Sequence, residues 1–172
     1  MPEFNEKTVV KAIRRMRSLG VDAQRWEVRE AVQEVPKDLQ ETISAFSNMH
    51  GGTIILGLSE KNGFKPADGF NADRICAQMQ AIGTSMTPVV CMEIEKMRFE
   101  GRLLVAAQVP EMPRRMKPCY ISRRGMYDGA FVRYGDGNRH LTAYETDRLA
   151  ESQNQPQFDI EPVERASIDD LD

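Results

Sequence analysis

The chain has 172 residues, of which 41% are hydrophobic and 28% charged, and it carries a formal net charge of -3. These values predict a soluble globular domain with a tail, large enough to bury its own core without disulfides. They exclude a membrane-spanning chain, because the longest apolar run, Ile54 to Leu58, is far too short to cross a bilayer.

The N-terminal residues "MPEFNEKTVVKAIRRM" lack an apolar core, so no signal peptide is expected. Residues 6–19 place Val9, Ile13 and Met16 at helical spacing, and Gly20 ends that helix. "RWEVREAV" alternates: Trp26 and Val28 face one way, Arg25, Glu27 and Arg29 the other, as in a half-buried strand. Pro36 suits a helix first turn, and Leu39, Ile43, Phe46 and Met49 form one apolar stripe over 37–49. Gly51 and Gly52 then stop the helix and turn the chain. "TIILGL" is apolar on both faces and reads as a central strand; Gly57 within it leaves room for a close neighbour. A helix follows over 71–83. "CMEIEKMRF" and "RLLVAAQV" form a hairpin about Glu100-Gly101. "PEMPRRMKP" is a proline-bounded basic loop, and "CYIS" and "AFVRY" are short strands. "GDGNRHLT" reads as a loop, and Thr142 caps a last helix over 143–151.

This order predicts an α+β fold with a mixed, mainly antiparallel sheet and flanking helices. Three divisions are expected: an N-terminal helix over 1–20, a domain over 21–151, and an acidic tail or linker over 152–172. The cysteines Cys76, Cys91 and Cys119 are odd in number and widely spaced, with no C-x-x-C, so neither zinc nor a disulfide framework is expected. That usage points to a reducing, cytoplasmic setting. No phosphate-cradling G-x-x-x-x-G-K-[ST] occurs, and Gly51-Gly52 leads into a strand, so no ATP site is expected.

Charge is uneven. Between Arg98 and His140 lie nine Lys and Arg residues against Glu100, Glu111, Asp128 and Asp136, while acids dominate from Glu145 onward. A basic stretch in a mildly acidic protein can hold a polyanion, because the local field outweighs the sum.

The stretch "WEVREAVQEVPKDLQETISAFSNMHGGTIILGLSEKNGF" resembles the AlbA-like domain of Schlafen-type proteins. That family has Glu-x-Lys on a strand, a helix ending in Ala-Phe-Ala-Asn-Thr-x-Gly-Gly, and a strand closing in Gly-Val and two acids. The resemblance continues through "VPEMPRRMKPCYI" and "GAFVRYGDGNRHLTAYETDRL", covering roughly residues 20–150. Arg29 stands where lysine is usual, and Ser47 and Met49 replace the alanine and threonine of the helix end.

The resemblance implies nucleic-acid binding, of RNA or DNA, often within bacterial or phage regulatory proteins and transcriptional regulators. It implies a homodimer as well, since relatives carry paired lobes. Some relatives cleave tRNA-like RNA with three carboxylates, which fall here on Asp22, Glu27 and Glu60. Glu27 and Glu60 would then hold Mg²⁺ or Mn²⁺, suited to hard oxygen ligands. Beside this stands a plain alternative: Glu27 shares its strand face with Arg25 and Arg29, and a solvated ion pair accounts for it. Asp22 lies an odd number of residues from Glu27, so it joins them only by preceding the strand or through a bulge.

For binding, the candidates are Arg29, Arg114, Arg115, Lys117, Arg123, Arg124 and Arg133, near Tyr120 and Tyr127. Arginine neutralises phosphates and tyrosine rings stack on bases. The leading expectation is a nucleic-acid-binding module. A metal-dependent endoribonuclease is the alternative, and a sensing domain without nucleic-acid contact is the third.

Overall fold

A computed structural model describes residues 3–20 and 24–154. Helix α1, Glu6–Leu19, begins at Asn5, whose side chain accepts from the Thr8 N–H, and ends at Gly20 in the left-handed conformation. Strand β1 is Trp26–Arg29, helix α2 Leu39–Asn48 and strand β2 Gly52–Leu56. Strands β3, Leu58–Ser59, and β4, Lys65–Pro66, make a short ribbon before helix α3, Ala72–Thr84. Strand β5, Met86–Thr87, precedes the hairpin of β6, Glu93–Phe99, and β7, Arg102–Val109. Strand β8, Tyr120–Ile121, leads through the short helix α4, Gly125–Gly129, to strands β9, Phe131–Tyr134, and β10, Gly137–His140. Helix α5, Ala143–Gln153, closes the described chain.

The main sheet has the order β1-β2-β7-β6. β1 and β2 run parallel, and the other two pairs are antiparallel, so the α+β mixed sheet is as expected. Alternation along the strands splits the core in two. Val28, Ile55, Leu104 and Ala106 face α1, where Val9, Ile13 and Met16 cover them. Ile54, Leu56, Val105 and Ala107 face the opposite way, onto α2 and α3. Each fully buried Leu, Ile or Phe contributes roughly 1.5–3 kcal/mol through removal from water. Both sides of β2 are thus covered, which is why its sequence is apolar throughout.

The helix-ending glycines act through packing. Gly51 has φ +74°, and a Cβ there would lie 2.7 Å from the Val109 carbonyl oxygen. A Cβ on Gly52 would meet the Phe46 ring at 2.7 Å. The close neighbour expected at Gly57 is the Phe70 ring, 3.0 Å from where a Cβ would stand. The hairpin turn at Glu100-Gly101 has positive φ at both residues, as two-residue turns that match strand twist require.

Asn48 fastens the second half of the chain to α2. It is buried, and its Nδ2 donates to the carbonyls of Cys119 at 2.9 Å and Phe131 at 3.0 Å. Its Oδ1 accepts from the Cys119 N–H at 2.6 Å. One turn earlier, Ser44 Oγ donates to the Cys119 carbonyl at 2.8 Å and accepts from the Phe131 N–H at 2.9 Å. Two polar side chains of a helix therefore replace the ladder bonds that β8 and β9 lack.

Two sequence expectations need correction. The segment 137–140 is a strand, not a loop: its polar residues pair with β9 at the edge of a two-stranded ribbon, where no apolar alternation is required. The last helix continues to Gln153, past the expected start of the tail. Its Thr142 and Glu145 form a reciprocal cap. The Glu145 carboxyl is pulled down to about 2, by Arg139 first and by the Thr142 backbone. The remainder of the expected tail, from residue 155, lies outside the described residues.

Asn48→Ala is expected to lower stability by about 2–4 kcal/mol, since it leaves the buried Cys119 N–H and Phe131 carbonyl without partners. Urea unfolding measures this; a loss below about 0.5 kcal/mol would show that the fastening is dispensable.

Candidate nucleic-acid interface

A carboxylate in a strand facing a helix must be paired or stay in water. Glu27 is only 5% exposed, because β1 turns it toward α2 and β9. Its Oε2 accepts from Arg133 Nη1 at 3.0 Å, and its Oε1 accepts from Arg29 Nε at 2.7 Å. Arg133 is buried, donates also to Asn138 Oδ1 at 3.1 Å, and lies 5.0 Å over the Phe46 ring. Its other nitrogens reach the carbonyls of Gln24 and Trp26, each at 3.4 Å. Those carbonyls belong to the start of β1, at the sheet's edge, so Arg133 also blocks that edge. Arg29 turns outward and donates to Asp38 Oδ2 at 2.8 Å, just ahead of α2.

This arrangement replaces the solvated pair expected for Glu27. Arg29 pairs with it from its own strand face, and a second partner, Arg133, comes from β9. Arg133, expected to face a phosphate, has its guanidinium enclosed and paired with Glu27. Arg29 is half-buried and shared between two carboxylates.

Glu60 is exposed, in the single turn Glu60–Asn62 that follows β3. Asp22 lies outside the described residues. Among the described residues, no group of three His, Cys, Asp or Glu side chains is placed to hold a metal ion. A divalent cation at Glu27 would sit beside two like charges, since each oxygen already accepts from a guanidinium. Among the described residues, the donor set around Glu27 therefore does not fit Mg²⁺ or Mn²⁺.

The remaining cations divide sharply. Arg124 pairs with Glu41 at 3.0 Å and lies 5.1 Å over the Phe131 ring. Lys117 donates to Glu111 at 3.0 Å and to the Met49 carbonyl at 3.3 Å. The hydrogen bond from the Lys117 ammonium holds the Glu111 carboxyl below its usual range. Arg102 pairs with Asp68 and Arg139 with Glu145. Arg114 and Arg115 are exposed on the single turn Arg114–Met116 and meet no carboxylate among the described residues. Arg123 is exposed and donates only to the neutral Gln40 amide, at 3.4 Å.

The connection from Arg114 to Arg124 runs antiparallel along α2. Cys119 is held at Asn48, and Arg123 and Arg124 meet Gln40 and Glu41. From Gln40 to Met49 the helix rises about 14 Å, so Arg114 and Arg115 stand near one end of this edge and Arg123 near the other. Tyr120, between them, is half-buried, and the Tyr127 hydroxyl donates to Asp147 at 2.5 Å. Sequence reasoning passed over Lys37, an exposed cation immediately before α2 with no carboxylate partner among the described residues. Its signal is the Pro36-Lys37 pair at the helix start.

Glu27→Gln removes one charge from a buried pair and is expected to cost about 3 kcal/mol, with Arg133 left uncompensated. Thermal and urea unfolding read this directly. Wild-type stability in the variant would show that Glu27 is not needed to hold β9 against β1.

The comparisons with known proteins agree with this architecture. The structure is similar to the N-terminal domain of a protein described as related to the ATP-dependent DNA helicase RecG, from Nitrosomonas europaea. The TM-score is 0.57 at 22% identity, covering 77% of this chain and 92% of that one. It is similar also to the DIP2311 protein from Corynebacterium diphtheriae, with a TM-score of 0.55 at 17% identity over 90% of this chain. The chain spans 30% of the length of the Corynebacterium protein. No curated protein matches the chain. No helix among the described residues is long and apolar enough to cross a membrane. The model of the family "Schlafen, AlbA_2" matches residues 22–142, well over half of the sequence, and the chain belongs to that family.

Proposed function

We propose that this chain is a nucleic-acid-binding module that engages the phosphate backbone along the edge beside α2. One observation carries the reading: Arg114, Arg115 and Arg123 are exposed and lack carboxylate partners among the described residues, while Arg102, Lys117, Arg124, Arg133 and Arg139 are each paired. Cations left unmatched on a fold are free to replace the counterions of a polyanion. An edge of about 14 Å matches about four successive charges of a duplex strand, spaced roughly 3.4 Å apart. The family's description and the helicase-related relative support the same class of ligand.

The reading is binding rather than cleavage. Glu27, the carboxylate on which a metal-dependent endoribonuclease would depend, has both oxygens engaged by guanidinium groups. Self-association into a homodimer belongs to the same reading, since it would set two such edges together. Sedimentation equilibrium is expected to show a dimer, and a monomer at all concentrations would remove that part.

Fluorescence anisotropy with labelled single-stranded RNA and DNA tests the module. Arg114→Ala, Arg115→Ala and Arg123→Ala together are expected to reduce the slope of log affinity against log salt by about 2, near 0.7 per lost contact. Arg139→Ala, which removes a paired cation, is expected to change it little. An unchanged slope in the triple variant would overturn the reading and favour a sensing domain without nucleic-acid contact.

A further inference from the structure

The start of α2, where Arg123 meets Gln40, also borders the mouth of a groove of about 350 Å³ between α2 and α3. Its walls are apolar: Val35 and Pro36 on one side, Ala81 and Ile82 of α3 on the other. Lys37 and Arg123 line it as well, together with the amides of Gln40 and Gln78. A volume of this size falls at the lower end of the range of small-molecule sites.

The electrostatics around it are lopsided. The acids nearest in sequence to its lining each have a cation of their own: Glu34 meets Arg74 at 3.2 Å, Asp38 meets Arg29 at 2.8 Å, and Glu41 meets Arg124 at 3.0 Å. Lys37 and Arg123 are therefore in excess. The amides are half committed. Gln78 Oε1 accepts from the Val35 N–H at 2.7 Å, which leaves its NH₂ without a partner among the described residues. Gln40 is spent at both ends, on Ser85 and Arg123.

We infer that this groove is a nucleotide subsite, taking one base of a bound strand between Pro36 and Ile82, with its phosphate against Lys37 and Arg123. A base is flat, apolar on its faces and polar at its edge, which matches apolar walls with one free amide donor. A phosphate matches two unpaired cations at the rim. The Gln78 NH₂ would donate to a ring nitrogen or carbonyl at the base edge, so Gln78 is the residue that discriminates between bases. This inference rests on the nucleic-acid reading, extends the same edge through Arg123, and adds a place where sequence can be felt.

The test has two arms. Amide-resolved NMR titration of the full chain with adenosine 5′-monophosphate and uridine 5′-monophosphate is expected to shift residues 35, 37–40, 78–82 and 123, with dissociation constants on the order of 1 mM. Inorganic phosphate is the control and is expected to act at least about fivefold more weakly, because stacking is absent. In the second arm, Ile82→Ala and Gln78→Ala are measured with labelled oligonucleotides beside Arg114→Ala/Arg115→Ala. Ile82→Ala is expected to weaken binding about fivefold, and Gln78→Ala to narrow the difference between homopolymers. Equal shifts from nucleotide and phosphate, or no shifts in the groove, would overturn the subsite. Oligonucleotide binding that responds to Arg114→Ala/Arg115→Ala but not to the groove variants would overturn it while leaving the binding edge intact. Binding insensitive to Arg114→Ala/Arg115→Ala would instead remove the edge itself.

Discussion

The buried pair of Glu27 and Arg133 sets what the rest of the molecule can do. Glu27 sits on the sheet's edge strand and faces inward, where a carboxylate must find a cation. Arg29 supplies one from the same strand, and Arg133 supplies a second, enclosed one that brings β9 across the end of β1, with Phe46 beneath the guanidinium. That contact positions the β9–β10 ribbon and closes the open edge of β1. It also consumes the most buried arginine of the basic stretch and engages the carboxylate best placed to resemble a catalytic one. On the proposed reading, binding falls to the loops beside α2 and not to the strand.

A second constraint works alongside it. Asn48 and Ser44 hold β8 and β9 by side-chain hydrogen bonds, so the segment between Glu111 and Arg124 is stretched along α2 instead of joining the main sheet. Its arginines are spread out over the helix length. Those that fall opposite Glu41 and Glu111 are matched locally, and those that do not remain exposed. The proposed interface is thus what is left after the fold has satisfied its own charges.

Much of this was legible in the residues. The glycines at 20, 51 and 101, the apolar β2 and the Thr142 cap are local signals, each carried by a few adjacent residues, and they place α1, α2, α5 and the β6–β7 hairpin. The contacts that decide the site are not local. Arg133 and Glu27 are separated by 106 positions, and Asn48 and Phe131 by 83. Alternation alone put Glu27 among Arg25 and Arg29 and gave no hint of Arg133. Gly137–His140 escaped as a strand because both its faces are polar. Arg133 read as available because a sequence shows a charge but not what encloses it. Arg114, Arg115 and Arg123 were visible from the outset, and the structure adds that they meet no carboxylate among the described residues.

The most direct measurement follows the arginine side chains themselves. Nε–Hε signals of the full chain, recorded by NMR during titration with a single-stranded oligonucleotide at low salt, report each guanidinium separately. The account predicts that Arg114, Arg115 and Arg123 shift while Arg133 and Arg29 stay fixed on Glu27. Movement of Arg133 and Arg29 with the loop arginines silent would contradict it, by showing that the ligand opens the buried pair and reaches Glu27.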